Sequence, residues 1–190
     1  MPRRPNYDRD ELIDRAKNLF WKQGWAGTSL KDLEQELQMK PGSFYAAFGS
    51  KDALFELSLG RYFADGQQRL AALIEELGPL GALKAFPLGV VTNAAAPAKA
   101  CMLGKSVLEL SGRGHPMAAV ANGHLDAMED SFRHAFAQAQ ALGEISDAHD
   151  PAVLARRYQS DLMGLRLSAE RDGVDAIAIA DEIAAGLDRL

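Results

Sequence analysis

The spacing of apolar residues follows helical periodicity along almost the whole chain, and this constrains the fold more than any other feature. One stripe near the N-terminus consists of Leu12, Ile13, Ala16, Leu19 and Phe20. No segment of useful length alternates apolar and polar residues at the period of two expected for a half-buried strand. The sequence therefore predicts an all-α fold of about nine helices.

Composition and size indicate an ordinary cytoplasmic protein. The chain has 190 residues, 47% hydrophobic and 25% charged, which is typical of a soluble globular protein. Its N-terminus has no apolar signal region, and no apolar run approaches the ~20 residues of a membrane-spanning helix. One cysteine, Cys101, excludes an intramolecular disulfide framework. We expect no membrane association.

Charge is distributed unevenly along the chain. The net charge is −5, but residues 1–61 hold ten Lys/Arg against nine Asp/Glu, whereas residues 62–190 hold eleven against seventeen. A near-neutral N-terminal segment, beginning with Arg3 and Arg4, is thus joined to an acidic remainder. This asymmetry favours DNA contact by the N-terminal end alone.

Residues 28–51 are predicted to form two short helices across a tight turn, followed by the start of a third. Thr28 and Ser29 precede the apolar stripe of the first helix, and Ser29 with Asp32 has the spacing of a capping box. Ser50 is the predicted N-cap of the third helix. Because helix N-termini attract phosphate, these two helix starts are candidate anchors on the DNA backbone.

The segment from Pro41 to Phe48 is the candidate recognition helix. On a helix, Phe44 and Phe48 would face inward, whereas the phenol of Tyr45 would lie on another face and reach a phosphate oxygen. Few of its side chains can hydrogen-bond to bases, so we expect modest direct readout, with Arg3 and Arg4 entering an adjacent minor groove. The DNA-contacting residues predicted here are Lys40, Pro41, Gly42, Ser43, Tyr45 and Ala47.

Residues 8–63 resemble the N-terminal domain of TetR-family transcriptional regulators. The matching residues, which follow an initial amphipathic helix, are Thr28-Ser29, Asp32-Leu33, Ser43-Phe44-Tyr45, Phe48, Ser50-Lys51 and Leu54-Phe55. The resemblance implies a helix-turn-helix DNA-binding domain in residues 1–55 and a helical effector-binding and dimerisation domain in residues 56–190. It also implies that Tyr45, Lys51 and Thr28 are phosphate ligands.

Two residues depart from the family pattern. Gln38 stands where the turn between the two helices usually has glycine, and Glu34 stands where a small residue usually allows the helices to approach. A left-handed Gln costs roughly 1 kcal/mol or more relative to Gly. Either the turn has another geometry, or the domain accepts that cost.

The last two helices are predicted to form a homodimer interface as a four-helix bundle with a second copy. Their apolar stripes include small residues that permit close approach. The alternative is that these stripes cover the core of the subunit itself. The predicted interface residues are Ala155, Tyr158, Leu162, Gly164, Leu165, Ser168, Ala180, Ile183, Ala184 and Leu187.

A pocket for an unidentified small-molecule effector is expected among the helices of residues 80–142. Its candidate lining residues are Phe86, Cys101, Met102, Met117, Met128 and Phe132. Cys101 is interpreted either as a small buried apolar residue or as a sensor thiol, activated by a helix start and by Lys99 and Lys105.

The sequence as a whole favours a homodimeric TetR-like regulator, a repressor released from its double-stranded DNA operator by a small-molecule or thiol-reactive signal. The alternative is an all-α enzyme or ligand-binding module that keeps the helix-turn-helix only as scaffold. The four histidines are scattered, and neither a Glu-x-x-His nor a Gly-x-Ser-x-Gly motif occurs. We therefore expect no catalytic residues, no metal site and no cofactor.

Overall fold

The computed structural model describes residues 8–190, and all regular structure within them is helical. This confirms the predicted all-α fold. The eight helices are α1 (Arg9–Gln23), α2 (Leu30–Leu37), α3 (Pro41–Phe48), α4 (Lys51–Thr92), α5 (Met102–Ser111), α6 (Met117–Ala141), α7 (Pro151–Ser168) and α8 (Ala176–Leu187).

Helix α4 is interrupted at Gly78. Gly78 has φ 74° and ψ 171°, a conformation outside the helical region. Pro79 follows it and has no backbone N–H, and the amide of Leu80 donates instead to the Glu144 carboxylate at 3.1 Å. Counting the two parts of α4 separately gives nine helical segments in residues 8–190, which agrees with the expected number.

The buried apolar residues form two clusters, one towards each end of the fold. The first joins α1, α2, α3 and the start of α4, and it also includes Met102, Leu103 and Leu110 of α5. The second joins the later part of α4 to α6, α7 and α8. Helix α5 therefore packs with the N-terminal helices although it lies beyond the predicted domain boundary at residues 55–56, and α4 runs through that boundary without a break.

Six of the ten predicted dimer-interface residues are buried in the core of this chain, so they have little surface left for a second copy. Tyr158 shows why: its ring packs edge-on against Phe132 at 4.9 Å, and its hydroxyl donates to the Leu83 carbonyl at 2.7 Å. Burial raises the pKa of the Tyr158 phenol well above its ordinary value. The six buried residues are Ala155, Tyr158, Leu162, Leu165, Ala180 and Leu187.

Helix α7 begins at a cap that its sequence favours, an aspartate followed by proline. The Asp150 carboxylate accepts from the amide of Ala152 at 2.8 Å, with Pro151 in the first helical turn. The helix ends at Ser168. Within residues 8–190, none of the helices combines the length and apolar character needed to cross a membrane.

Candidate nucleic-acid interface and cavity

Helix α2 begins with the predicted capping box. The Ser29 hydroxyl accepts from the amide of Asp32 at 3.1 Å, and the Asp32 carboxylate accepts from the amide of Ser29 at 2.8 Å. The hydrogen bond from the Ser29 hydroxyl is the main reason why the pKa of the Asp32 carboxyl lies below its ordinary value. This reciprocal cap fixes the direction in which the chain enters α2.

The turn between α2 and α3 accepts the left-handed glutamine. Gln38 has φ 55° and ψ 40°, and it is the only non-glycine residue with positive φ in residues 8–190. The amide of Met39 then donates to the Glu34 carbonyl at 2.9 Å and closes the turn. The sequence left two alternatives for this turn, and the structure shows the second. The turn keeps the helix-turn-helix geometry, and Gln38 bears the conformational cost.

Helix α3 presents the face that its spacing predicted. Phe44 and Phe48 are buried in the first cluster, whereas Tyr45 is 49% exposed. Ala47 lies half-buried against the same cluster, so it is less available to DNA than we expected. The remaining predicted contact residues of this segment form a continuous exposed patch: Lys40, Pro41, Gly42 and Ser43.

Thr28 is a correction to the predicted contacts. It is fully buried, and its hydroxyl donates to the Gly24 carbonyl at 2.7 Å. A side chain enclosed in this way offers no atom to a phosphate, so Thr28 stabilises the loop before α2. Arg3 and Arg4, the predicted minor-groove residues, lie outside the described residues.

Helix α4 begins beside a group of side chains that the sequence did not reveal. Ser50 caps the helix by accepting from the amide of Ala53 at 3.0 Å, as predicted. The Lys51 ammonium lies 4.0 Å from the centre of the Trp25 ring, and partial burial there lowers the Lys51 pKa. The Trp25 indole N–H donates to Asp52 at 2.8 Å. The contact with the Trp25 ring holds the Lys51 ammonium beside the N-terminus of α4.

Two further contacts around this surface join residues that are distant in sequence. The Arg9 guanidinium lies 5.5 Å from the centre of the Phe48 ring, which places another cation beside the end of α3. On the opposite side, the Glu109 carboxylate of α5 accepts from the amides of Trp25 and Ala26 at 3.0 and 2.7 Å. Helix α5 is thus bound directly to the loop that precedes α2.

A cavity of about 270 Å³ lies behind this region, lined by residues of α1, α4, α5, α6, α7 and the segment that precedes α5. Four of the six predicted pocket residues line it, namely Phe86, Cys101, Met128 and Phe132. Met102 and Met117 do not, because both pack against the first cluster instead.

Cys101 lies in the wall of the cavity beside Tyr62 and is half-buried. Burial raises the pKa of the Tyr62 phenol, and the neighbouring thiol raises it further. The two lysines expected to activate Cys101 bind backbone carbonyls instead: Lys99 binds that of Val91 at 2.9 Å, and Lys105 that of Trp21 at 2.8 Å.

Comparison with known proteins identifies the family. The family model described as bacterial regulatory proteins of the tetR family matches residues 12–57, from α1 into α4. The HTH-type transcriptional repressor ComR of Escherichia coli is 30% identical over 173 residues, which cover 88% of this chain and 81% of ComR. The chain belongs to the TetR family of transcriptional regulators.

Solved structures show that the likeness to TetR-family regulators extends over nearly all of the chain. A cysteine variant of the regulator CifR, solved with a 26-base-pair operator duplex, matches with a TM-score of 0.81 and 26% identity over 97% of this chain and 98% of CifR. Reduced NemR of Escherichia coli also has a TM-score of 0.81, at 19% identity over 96% of this chain and 95% of NemR. The latter likeness concerns the fold alone.

Proposed function

We propose that this TetR-family regulator is a cytoplasmic repressor that binds a double-stranded DNA operator as a homodimer and leaves it when a signal reaches the cavity. The exposed face of α3, bounded by the capped starts of α2 and α4, carries the proposal. A face of this size and polarity suits the major groove, with the two helix starts directed at phosphates. ComR is described as a transcriptional repressor, which supports repression as the direction of regulation.

The DNA contacts are proposed from the exposure of the side chains on and around α3. The Tyr45 hydroxyl and the Lys51 ammonium bind phosphates on either side of the groove, while Lys40 and Ser43 are the hydrogen-bonding groups nearest the bases. Pro41 and Gly42 carry no side-chain donor and allow the start of α3 to approach closely. Ser29 contributes through the free amides of the α2 start. Arg9 adds a positive charge beside α3.

The proposed dimer uses the outward face of α7 and α8. On this face Val153, Leu167 and Ile177 are 57%, 63% and 51% exposed, which is costly for large apolar side chains that stay in water. Gly164 is exposed on the same face of α7 and permits close helix approach. Three more of the residues that the sequence predicts at the interface are partly accessible and remain candidates: Ser168, Ile183 and Ala184.

A groove between α7 and α8 supports the same interface. It has a volume of about 500 Å³, and Asp161 and Glu182 line it together with Ile179, Ile183 and, from the buried stripe, Tyr158 and Leu187. Two helices that leave such a space between them within one chain are incompletely packed. Side chains of a second copy would fill it, and the two-fold axis would place two copies of α3 about one DNA turn, ~34 Å, apart.

Release follows from a population shift. A ligand in the cavity, or a chemical modification of Cys101, favours a conformer in which the two copies of α3 are wrongly spaced for the operator. Both kinds of signal enter at the same place, because Cys101 lines the cavity.

The test is equilibrium binding to a fluorescent duplex taken from the DNA beside the chain's own gene, over a range of salt concentrations. We expect Lys51→Ala to weaken binding roughly tenfold and to reduce the salt slope by about one. Tyr45→Phe removes the hydroxyl alone and is expected to weaken binding by a smaller factor. A matched control is Lys84→Ala, since Lys84 pairs with Asp188 far from this surface.

The control variant must bind as the unaltered protein does. If Lys51→Ala and Tyr45→Phe bind the duplex as tightly as Lys84→Ala, the assignment of α3 and its flanking starts as the DNA surface is wrong. If none of the proteins prefers this duplex over a scrambled one, the proposed operator is wrong.

A further inference from the structure

The cavity described above has a wall that is mainly aromatic but not uniformly apolar. Trp21 packs edge-on against Tyr62 at 4.9 Å, and Phe86 packs against Phe132 at 5.5 Å. The Trp21 indole N–H is already donated to the Ala100 carbonyl at 2.6 Å. These rings therefore offer flat apolar surfaces and no free donor from the indole, which suits the body of an aromatic or otherwise apolar ligand.

Positive charge is in excess around the cavity although the chain as a whole is acidic. Lys17, Arg69 and Arg166 line it together with a single carboxylate, Asp65. The ammonium of Lys17 binds Asp65 at 2.6 Å and Asp14 at 3.0 Å, so these groups compensate one another. Neither Arg69 nor Arg166 forms an ion pair with a carboxylate of residues 8–190. The cavity thus holds two guanidinium groups that no carboxylate of residues 8–190 binds directly.

Arg166 is the better placed of these two cations. One of its N–H groups donates to the Lys99 carbonyl at 3.2 Å, which restrains the side chain. The guanidinium also lies close enough to lower the pKa of Tyr62, against the larger opposite effect of burial. A restrained guanidinium in an aromatic cavity loses little conformational freedom on binding an anion, and its planar donors match a carboxylate or sulfonate.

Gln159 supplies an acceptor that has no donor. Its amide nitrogen donates to the Leu125 carbonyl at 3.2 Å, while its Oε1 is buried and has no hydrogen-bond partner among residues 8–190. Exchanging the two amide atoms would bring Oε1 against the Leu125 carbonyl and leave the nitrogen without an acceptor. The orientation is therefore fixed by chemistry, and a buried acceptor of this kind requires an N–H or O–H group.

We propose that the cavity binds an apolar, aromatic organic acid whose anionic group pairs with Arg166 and whose N–H or O–H donates to Gln159 Oε1. Both residues line the cavity from α7, seven positions apart, so the two groups are separated by roughly 10 Å along the helix. Arg69 adds a second positive charge to the field within the cavity. The proposal deepens the proposed function by naming the chemical class of its effector, and it rests on that function only for the link to DNA.

Two fluorescent probes test the charge requirement directly. Anilinonaphthalene sulfonate has aromatic rings, an N–H and an anionic sulfonate, whereas N-phenylnaphthylamine has the same rings and N–H without the anion. We expect the unaltered protein to bind the sulfonate roughly tenfold more tightly, the factor expected for one charge-assisted contact. Equal affinities for the two probes would overturn the proposal.

Variants assign the effect to particular side chains. Arg166→Gln removes the charge while keeping a polar amide, and it should weaken binding of the sulfonate roughly tenfold without affecting binding of the neutral probe. Gln159→Met should weaken both probes, since both lose the acceptor for their N–H. The matched control is Arg133→Gln, because Arg133 is a partly exposed arginine of α6 that pairs with Asp130 outside the cavity.

The assignment is contradicted if Arg166→Gln weakens the binding of both probes. It is also contradicted if Arg133→Gln weakens the binding of the sulfonate as much as Arg166→Gln does. If Arg166→Gln does not fold, as judged by circular dichroism, Arg69→Gln takes its place. The proposal then requires the Arg69 variant to lose part of the preference for the sulfonate, and an unchanged preference overturns it.

DNA binding of the same variants separates this inference from the proposed function. Without probe, Arg166→Gln and Gln159→Met should bind the operator duplex as the unaltered protein does. If DNA binding is intact and the preference for the sulfonate is absent, only the ligand class is wrong. If the preference is present and no variant or parent binds DNA, the proposed function is wrong while the site remains.

Discussion

Helices α3 and α7 are both amphipathic, yet the same spacing argument succeeded for one and failed for the other. In α3 it placed Phe44 and Phe48 inside and Tyr45 outside, which is where they lie. In α7 it identified Tyr158, Leu162 and Leu165 as one apolar face, correctly, but assigned that face to a second subunit. The face is covered by α4 and α6 of the same chain.

The difference shows which information the apolar periodicity of a helix carries and which it lacks. An apolar stripe shows that one side of a helix is removed from water, but it carries no information about which surface covers it. For α3 the covering surface is fixed by close neighbours in sequence, so the ambiguity does not arise. For α7 the candidates were a distant part of the chain and a second copy, and both satisfy the same stripe.

The largest expected effect separates the two faces of α7 through neighbouring leucines. Leu165 is 1% exposed and Leu167 is 63% exposed. Leu165→Ala should lower the free energy of unfolding by about 2–5 kcal/mol, measured in urea at fixed protein concentration. Leu167→Glu should preserve the helical fold but convert dimers to monomers in sedimentation equilibrium. A dimer that persists in Leu167→Glu would place the interface elsewhere.

A smaller effect tests whether the DNA-binding helices are as self-contained as the success with α3 suggests. Glu109→Ala leaves the amides of Trp25 and Ala26 without their acceptor, and we expect a loss of about 1–3 kcal/mol in unfolding free energy. Hydrogen exchange at these two amides should accelerate. Leu108→Ala is the matched control, because Leu108 is 85% exposed on the same helix. Equal stability of the two variants would show that the loop does not depend on α5.

The smallest effect concerns the turn that makes α3 a neighbour of α2. Gln38→Gly removes the left-handed strain, and we expect a gain of about 0.5–1 kcal/mol in unfolding free energy. Gln35→Gly, inside α2, should instead lose about 1 kcal/mol by thermal or chemical denaturation. A loss of stability in Gln38→Gly would mean that the glutamine side chain stabilises the turn by more than its backbone costs.

The parts of the fold that could be predicted are those in which the interacting residues are close in sequence. The caps at Ser29, Ser50 and Asp150 each join residues two or three apart, and the Gly78-Pro79 break is a property of the two residues themselves. Such features depend only on residues that are close in sequence, so the sequence is sufficient to predict them.

The candidate site was predicted only in part because its remaining contacts are tertiary. Thr28 has the right residue type for a phosphate ligand, but the loop folds over it. Met102 and Met117 are as apolar as Met128, and only the paths of α5 and α6 decide which of them reach the cavity. The pairing of Glu109 with the loop before α2 spans more than eighty positions, and no local pattern announces it.

Helix α4 is a single rod from Lys51 to the break at Gly78, and it carries both the lysine that we propose to bind phosphate and part of the cavity wall. Tyr62 lies eleven residues from Lys51, roughly 16 Å along the axis. A tilt of only about 5° around Tyr62 would move Lys51 by roughly 1.4 Å, which exceeds the tolerance of a hydrogen bond. In a two-fold dimer the displacements of the two lysines combine. A ligand that is slightly too large for its cavity therefore acts at a distance along α4. A shift of a few tenths of an ångström at an aromatic ring can weaken the contact between Lys51 and DNA.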